Sequence, residues 1–128
     1  MAVGSTTLHE KSETLDPKTI DRHRAIVSLM EELEAVDWYA QRAEATSDPA
    51  LRAILEHNRD EEKEHAAMVL EWLRRNDPKL DEHLRTYLFA EGDITLIEEA
   101  ETGSGANGSA SAGDGILDIG SLRMGAGK

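Results

Sequence analysis

The sequence predicts an all-α fold, an antiparallel hairpin of two long helices followed by a short helix. Three observations carry this prediction: three Asp-Pro pairs, apolar residues spaced alternately three and four apart, and a tight turn around Ser47–Asp48. Aspartate is favoured as a helix N-cap and proline at the first helical position. The pairs therefore predict helix starts at Pro17, Pro49 and Pro78.

The distances between these starts give the lengths of the helices. They predict helices over about Pro17–Ala45, Pro49–Asn76 and Pro78–Ala90, with Gly92 as the stop signal after the third. The segment Ile94–Ala100 is compatible with a short strand or a helical turn, and its pattern does not decide between them.

Both long helices carry an apolar stripe of the kind that packs against a partner helix. The first stripe consists of Ile26, Leu29, Leu33, Val36, Ala40 and Ala43. The second consists of Leu51, Leu55, Asn58, Glu62, His65, Val69 and Trp72. Because the connection between the helices is short, they should lie antiparallel.

Composition divides the chain into four predicted segments. These are a flexible N-terminal segment (1–16), a helical domain (17–97), a linker rich in Gly, Ser and Ala (98–115) and a partly apolar C-terminal peptide (116–128). Apolar residues at the end of a flexible tether suggest a docking peptide. Two long helices and a short one bury only a thin core, so we expect a metal or self-association to stabilise the domain.

Charge and composition exclude several classes of function. The net charge of −12 argues against a nucleic-acid partner and suits the attraction of cations. The absence of cysteine removes disulfides, thiolate metal sites and thiol catalysis. No apolar stretch is long enough to span a bilayer, and the N-terminus lacks the layout of a signal peptide. We therefore expect a cytoplasmic protein without a membrane partner.

The second stripe contains two residues that do not belong in an apolar core, Glu62 and His65. Their spacing of three places them on one helix face. A buried carboxylate costs several kcal/mol unless something compensates its charge. A divalent metal does so, since carboxylate oxygen and imidazole nitrogen suit first-row metals such as iron. An ordinary Glu-His or Glu-Arg pair at a helix crossing would also explain this motif on its own.

Three carboxylates interrupt the first stripe. In the heptad set by Ile26 and Leu29, Glu32 flanks the core seam and can face the bundle interior. Glu31 and Glu34 point away from the seam and share an outer face, where they form either a second acidic site or simply a solvated surface.

Counting ligands favours a metal. A di-iron carboxylate bundle uses one Glu from each of two helices and a Glu-x-x-His from each of the other two. This chain offers half of that set: Glu32, Glu62 and His65. A two-fold dimer of hairpins would make a ferritin-like four-helix bundle and complete the set near its axis.

At these residues the chain resembles the encapsulated ferritins, the ferritin-like cargo of encapsulin nanocompartments. The resemblance spans nearly the whole chain and is carried by six strings: His23–Ile26, Glu31–Tyr39, His57–Ala66, Leu70–Arg75, Leu84–Phe89 and Asp118–Arg123.

The resemblance implies an assembly and a ferroxidase centre. It implies an annular decamer, a ring of five dimers, with the centre at a dimer interface. The implied ligands are Glu32, Glu62 and His65 from both chains, holding two irons, Fe(2+) or Fe(3+), per subunit pair. Calcium or zinc can substitute for iron in a crystal.

The resemblance also assigns roles around that centre. Tyr39 is expected beside it as a hydrogen-bonding neighbour, and Glu31 and Glu34 form an outer site through which metal enters, with Trp38 shaping access. The C-terminal peptide is expected to bind the encapsulin shell and so place the protein inside the nanocompartment. Its implied targeting residues are Leu117, Ile119, Gly120, Ser121, Leu122 and Arg123.

The expected function is oxidation of Fe(II) to Fe(III), with dioxygen as the oxidant, followed by mineral storage in the shell. The alternative is a non-catalytic structural cargo protein whose dimer a metal staples together. A di-metal oxidase of an organic substrate lacks a candidate pocket, and a zinc protease would need a His-Glu-x-x-His motif, which is absent. His9 and His57 could bind adventitious metal.

Overall fold

The computed structural model describes residues 6–107, with side chains through residue 103. A 3-10 turn at Ser12–Thr14 precedes four helices: α1 (Pro17–Ala45), α2 (Pro49–Arg75), α3 (Pro78–Tyr87) and α4 (Ile94–Asn107). The described residues contain no strand, so the prediction of an all-α chain is confirmed. None of these helices combines the length and apolar character needed to cross a lipid bilayer.

All three Asp-Pro pairs begin helices, as predicted. The Asp16 carboxylate accepts a hydrogen bond from the Lys18 amide at 2.8 Å, and Asp48 accepts one from the Ala50 amide at 2.9 Å. Asp77 does the same at α3, from the Leu80 amide at 3.1 Å. Each bond satisfies an N–H that a helix start leaves unpaired, while the proline that follows lacks such an N–H.

α1 and α2 pack along their lengths as the predicted antiparallel hairpin. The Arg22 Nε donates to the Asn76 carbonyl at 3.1 Å, which ties the start of α1 to the end of α2. Among the described residues only Ala43, Ala66 and Leu73 are buried apolar side chains. The hairpin core is therefore thin, as its size predicts.

The chain divides into two compact units after Asn76, and the predicted helical domain 17–97 extends over both. In the second unit α3 ends at Tyr87, three residues before the predicted end at Ala90. The helix ends because Leu88 is extended, with a ψ of 135°, and Phe89, whose φ of 63° is left-handed, then turns the chain further away. Gly92, the predicted stop signal, has a φ of 93° and lies in the turn before α4.

The segment whose pattern allowed a strand or a helical turn is helical and longer than expected. Asp93 caps α4 by accepting hydrogen bonds from the Thr95 amide at 3.0 Å and the Thr95 hydroxyl at 2.7 Å. The helix continues to Asn107, so the start of the predicted 98–115 linker is helical backbone. The rest of that linker and the predicted targeting peptide 116–128 lie outside the described residues.

Candidate metal centre

The two hairpin helices place three candidate ligands at the same height along the hairpin axis. Glu32 lies near the middle of α1, and Glu62 and His65 lie one turn apart on α2. Both glutamates are about three-quarters shielded, with side-chain exposures of 25% for Glu32 and 23% for Glu62, while His65 is 46% exposed. The site is therefore half-sheltered by its own hairpin and open on one side.

The three side chains approach closely enough to hold one cation. Each offers a ligand atom, and these atoms all lie within 4.8 Å of one another. The His65 Nδ1 lies 3.2 Å from the Glu62 Oε1 and 3.8 Å from the Glu32 Oε2. No other group of this kind occurs in the described part of the chain.

The two carboxylates influence each other's protonation. Contact with Glu62 raises the pKa of Glu32 above its ordinary value, and partial burial and the Glu62 charge add to the effect. The same contact lowers the pKa of Glu62, with a further contribution from His65. Two carboxylates this close resist simultaneous ionisation, so they titrate as a pair that favours a shared proton. A divalent cation could replace that proton.

The donor set fits a first-row divalent metal such as iron. Two carboxylate oxygens and one imidazole nitrogen are ligands that iron, manganese and zinc all accept. Three ligands do not fill the coordination shell of any of these ions. The remaining positions would be available to another chain, to water or to an oxidant.

The outer carboxylates remain separate from this cluster. Glu31 and Glu34 are exposed on α1, and neither belongs to the group of ligand atoms that Glu32 joins. Their spacing places them on one helix face. Trp38, four residues after Glu34, extends that face and is 49% exposed.

Tyr39 is half-buried, and in the described structure its hydroxyl makes no hydrogen bond to the cluster. Its ring instead lies beside Arg42, whose guanidinium carbon is 5.6 Å from the ring centre. The same carbon is 5.9 Å from the centre of the Trp38 ring. The sequence analysis missed Arg42, although its spacing of three and four residues from two aromatic residues could have indicated the contact.

A shallow groove of about 500 Å³ continues the cluster's side of the hairpin. Its lining residues come from both helices: Asp21, Arg24, Ala25, Ser28, Met68, Val69 and Trp72. Ser28 lies one turn before Glu32, and Val69 lies one turn after His65. Met68 is 65% exposed and Trp72 39% exposed. Such a concentration of exposed apolar surface is typical of an interaction face.

The two other histidines that the sequence analysis considered are not in the cluster. The His57 Nε2 lies 3.3 Å from the Glu61 carboxylate on the exposed side of α2. His9 is exposed before the first helix. Neither belongs to a group of three candidate ligands among the described residues.

A chain whose described elements are all helical, and whose hairpin gathers two carboxylates and a histidine, is ferritin-like in its fold and in its candidate metal site. The chain belongs to the EncFtn-like family, whose model matches residues 7–91. The resemblance to the encapsulated ferritins is thus confirmed.

Individual proteins agree with this assignment. The chain is 64% identical to an encapsulated ferritin-like protein of Rhodospirillum rubrum, over 96% of this chain and 92% of that protein. A crystal structure of protein ne0167 from Nitrosomonas europaea is similar with a TM-score of 0.66 and 59% identity, covering 68% of this chain and 96% of that one. The encapsulin nanocompartment cargo protein EncC of Myxococcus xanthus is 39% identical over 46% of this chain and 45% of its own length.

Proposed function

We propose that this protein is a ferroxidase, which oxidises Fe(II) to Fe(III) at a di-iron site formed between two copies of the chain. The observation that carries the proposal is the cluster of Glu32, Glu62 and His65, whose ligand atoms lie within 4.8 Å of one another. One glutamate facing a Glu-x-x-His is half of the ligand set of a di-iron carboxylate bundle.

Pairing of two hairpins supplies the missing half. The groove that contains Met68 and Trp72 begins one turn from the cluster, since its lining residues Ser28 and Val69 are four residues from Glu32 and His65. A second hairpin related by two-fold symmetry would cover this apolar surface and bring its own three ligands to the axis. Burial of the exposed side chains provides the free energy of association. We propose that such dimers assemble further into an annular decamer.

The chemistry requires two Fe(II) ions side by side as substrate. Each gives up one electron, and one dioxygen accepts both electrons and two protons to become hydrogen peroxide. Glu32 and Glu62 hold the iron in either oxidation state because hard carboxylate oxygens suit both. His65 contributes a neutral ligand, which keeps the site from accumulating so much negative charge that Fe(III) could not leave.

The outer carboxylates have a role before this step. Glu31 and Glu34 would capture Fe(II) from solution, since the chain's negative charge attracts cations to its surface. Trp38 borders that face and would shape access to it. Tyr39, on the cluster's side of α1, would pack beside the completed centre.

Storage would take place in a shell outside this protein. The proposed partner is an encapsulin shell protein, bound by the C-terminal peptide through Leu117, Ile119 and Leu122 together with Gly120, Ser121 and Arg123. The cargo description of the Myxococcus relative supports this partner. The protein would then work in the cytoplasm, inside the nanocompartment, where Fe(III) leaving the site would mineralise.

The deciding experiment is oxygen-dependent oxidation of Fe(II) by the full chain. Glu32→Ala, Glu62→Ala and His65→Ala should each abolish most of the activity above the rate of iron in buffer. Glu44→Ala serves as the control, because it removes an exposed carboxylate of α1 that lies outside the cluster. Undiminished activity in the three cluster variants would refute the site.

The alternative of a metal-stapled structural protein remains the second candidate, because the three-ligand cluster would also hold zinc between two copies. Native mass spectrometry with Fe(II) or Zn(II) separates the two functions. Both predict metal-dependent association, but only a ferroxidase consumes oxygen with Fe(II). Metal-driven assembly without turnover would favour the structural function.

A further inference from the structure

Among the described residues, Arg42 contacts two aromatic rings and has no acidic partner. Its guanidinium carbon lies 5.9 Å from the centre of the Trp38 ring and 5.6 Å from that of the Tyr39 ring. Cations within about 6 Å of a ring centre are attracted by its electron-rich face. In the described part of the chain Arg42 forms no ion pair, so the two rings are its main partners.

The two rings belong to neighbouring faces of α1, because consecutive residues on a helix are about 100° apart. Trp38 follows Glu34 by one turn and Glu31 by two, so it lies on the outer acidic face. Tyr39 follows Glu32 by two turns, so it lies toward the cluster. Arg42 therefore joins an aromatic residue of the outer face to one beside the candidate centre.

Long side chains on a helix lean back toward its N-terminus, over the residues three and four positions earlier. Arg42 leans in this way over both rings. Trp38 leans in the same direction, toward Glu34, which is four positions earlier. Without Arg42, the half-exposed Trp38 ring would be free to change rotamer and to move further over Glu34. A Trp38 ring in that position would cover a carboxylate that has to remain accessible to hydrated Fe(II).

We infer that Arg42 is a positioning residue for iron capture. It fixes the Trp38 and Tyr39 rings in one arrangement and thereby keeps the outer carboxylates open. This role rests on the proposed ferroxidase function and adds a residue to it. Arg42 contacts neither the cluster nor the outer carboxylates among the described residues, so its effect passes through the rings.

The contact can be tested without iron. In a Trp72→Phe background Trp38 is the remaining tryptophan of the two in the chain. Time-resolved fluorescence anisotropy of the metal-free full chain should show a fast local motion of Trp38 in Arg42→Met that the parent lacks. Arg42→Lys, which keeps the cation, should retain most of the parent's restriction. Equal anisotropy decays in Arg42→Met and the parent would overturn the inference.

Loss of the Arg42 cation should also change how the rate of iron oxidation depends on the Fe(II) concentration. For Arg42→Met the Fe(II) concentration at half-maximal rate should rise about two- to fivefold, the range that the loss of one exposed cation-ring contact corresponds to. Its maximal rate should stay within about twofold of wild type, because the cluster is untouched. Arg42→Lys should recover most of the wild-type KM.

Lys18→Gln provides the control for charge, since it also removes one cation from α1 but lies at the far end of the helix. It should leave KM unchanged. A fall in kcat without a rise in KM, or the same rise in KM for Lys18→Gln, would overturn the role in capture. If wild type itself fails to oxidise Fe(II), the proposed function fails, while the anisotropy measurement still decides whether Arg42 fixes the rings.

Discussion

Two parts of this chain contain similar residues in different geometries. On the hairpin, Glu32, Glu62 and His65 bring their ligand atoms within 4.8 Å of one another. In the second unit, a cleft of about 570 Å³ also combines glutamates with a histidine. Its lining residues are Glu82, His83, Arg85, Thr86, Tyr87, Glu98, Glu101 and Thr102. Yet in the described structure only the hairpin forms a group able to hold a metal.

Two features explain why the cleft lacks such a group: the spacing of its residues along the helix, and the ion pairs that compete with a metal for its carboxylates. In the cleft, Glu82 and His83 are adjacent in sequence, and neighbours on a helix point in different directions. Glu82 also pairs with the Lys79 Nζ at 3.0 Å. On the hairpin, Glu62 and His65 share one face and Glu32 meets them from the opposite helix. The ion pairs of these two glutamates in the described structure involve only His65, so no lysine or arginine competes with a metal.

The largest effect should come from exchanging a carboxylate for an amide in each region. Glu62→Gln should lower Fe(II) oxidation by more than about 100-fold, since loss of a direct ligand should exceed the 10- to 100-fold cost of losing an outer-shell partner. Glu98→Gln makes the same chemical change in the cleft and should leave the rate within about twofold of wild type. Oxygen consumption at saturating Fe(II) measures both. Equal losses in the two variants would remove the distinction between the regions.

The next effect concerns the stability of the metal-free hairpin. The folded-state pKa of Glu32 is raised, chiefly by contact with Glu62. A group of this kind contributes stability that is present at low pH and lost as the pH rises through the raised pKa. At neutral pH the pair is therefore under repulsion. Glu32→Gln should raise the melting temperature of the metal-free protein at pH 7, and this gain should shrink as the solution is acidified.

The same variant should lose the stabilisation that a metal provides. Zinc, which is not oxidised, should raise the melting temperature of wild type by binding the folded state. With Glu32→Gln the rise should be much smaller, because one ligand is gone. Calorimetry with and without Zn(II) measures both arms. Glu32 is not part of a repulsive ligand pair if Glu32→Gln melts below wild type in the absence of metal. The same conclusion follows if zinc raises the melting temperature of Glu32→Gln as much as that of wild type.

The features that the sequence predicted well are those that depend on local spacing. The Asp-Pro pairs gave the helix starts because capping involves only neighbouring residues. The heptad position of Glu32 and the spacing of Glu62 and His65 sufficed to predict that the three would meet, since a short turn leaves the two helices little choice of register. Their role as iron ligands stays a prediction.

The features that the sequence did not predict depend on less common local conformations. Phe89 adopts a left-handed conformation that is unusual for a bulky residue, so nothing in the pattern indicated the early end of α3. The composition, which becomes Gly- and Ser-rich after Glu101, predicted a linker over 98–115, whereas α4 continues into that segment as far as Asn107. Arg42 was overlooked because spacings of three and four residues are common on a helix, so its spacing from Tyr39 and Trp38 did not single it out. The decamer depends on contacts between copies, which a single chain does not contain.

The smallest effect should come from Glu71, another carboxylate with a shifted pKa on the same hairpin. It accepts hydrogen bonds from the Arg74 Nε at 2.8 Å and the Arg75 Nε at 2.7 Å, which lower its pKa to about 2. A depressed pKa contributes stability that is present above the ordinary value and lost as the pH falls through about 2. Glu71→Gln should therefore slightly lower the melting temperature at pH 7, opposite in sign to Glu32→Gln.

This deficit in melting temperature should diminish toward pH 2, where Glu71 becomes protonated. It should also diminish in high salt, because Glu71 and its two arginines are partly exposed to solvent. Melting curves across this range, at low and high salt, measure it. A deficit that grows on acidification would mean that Glu71 is stabilised by something other than its two arginines.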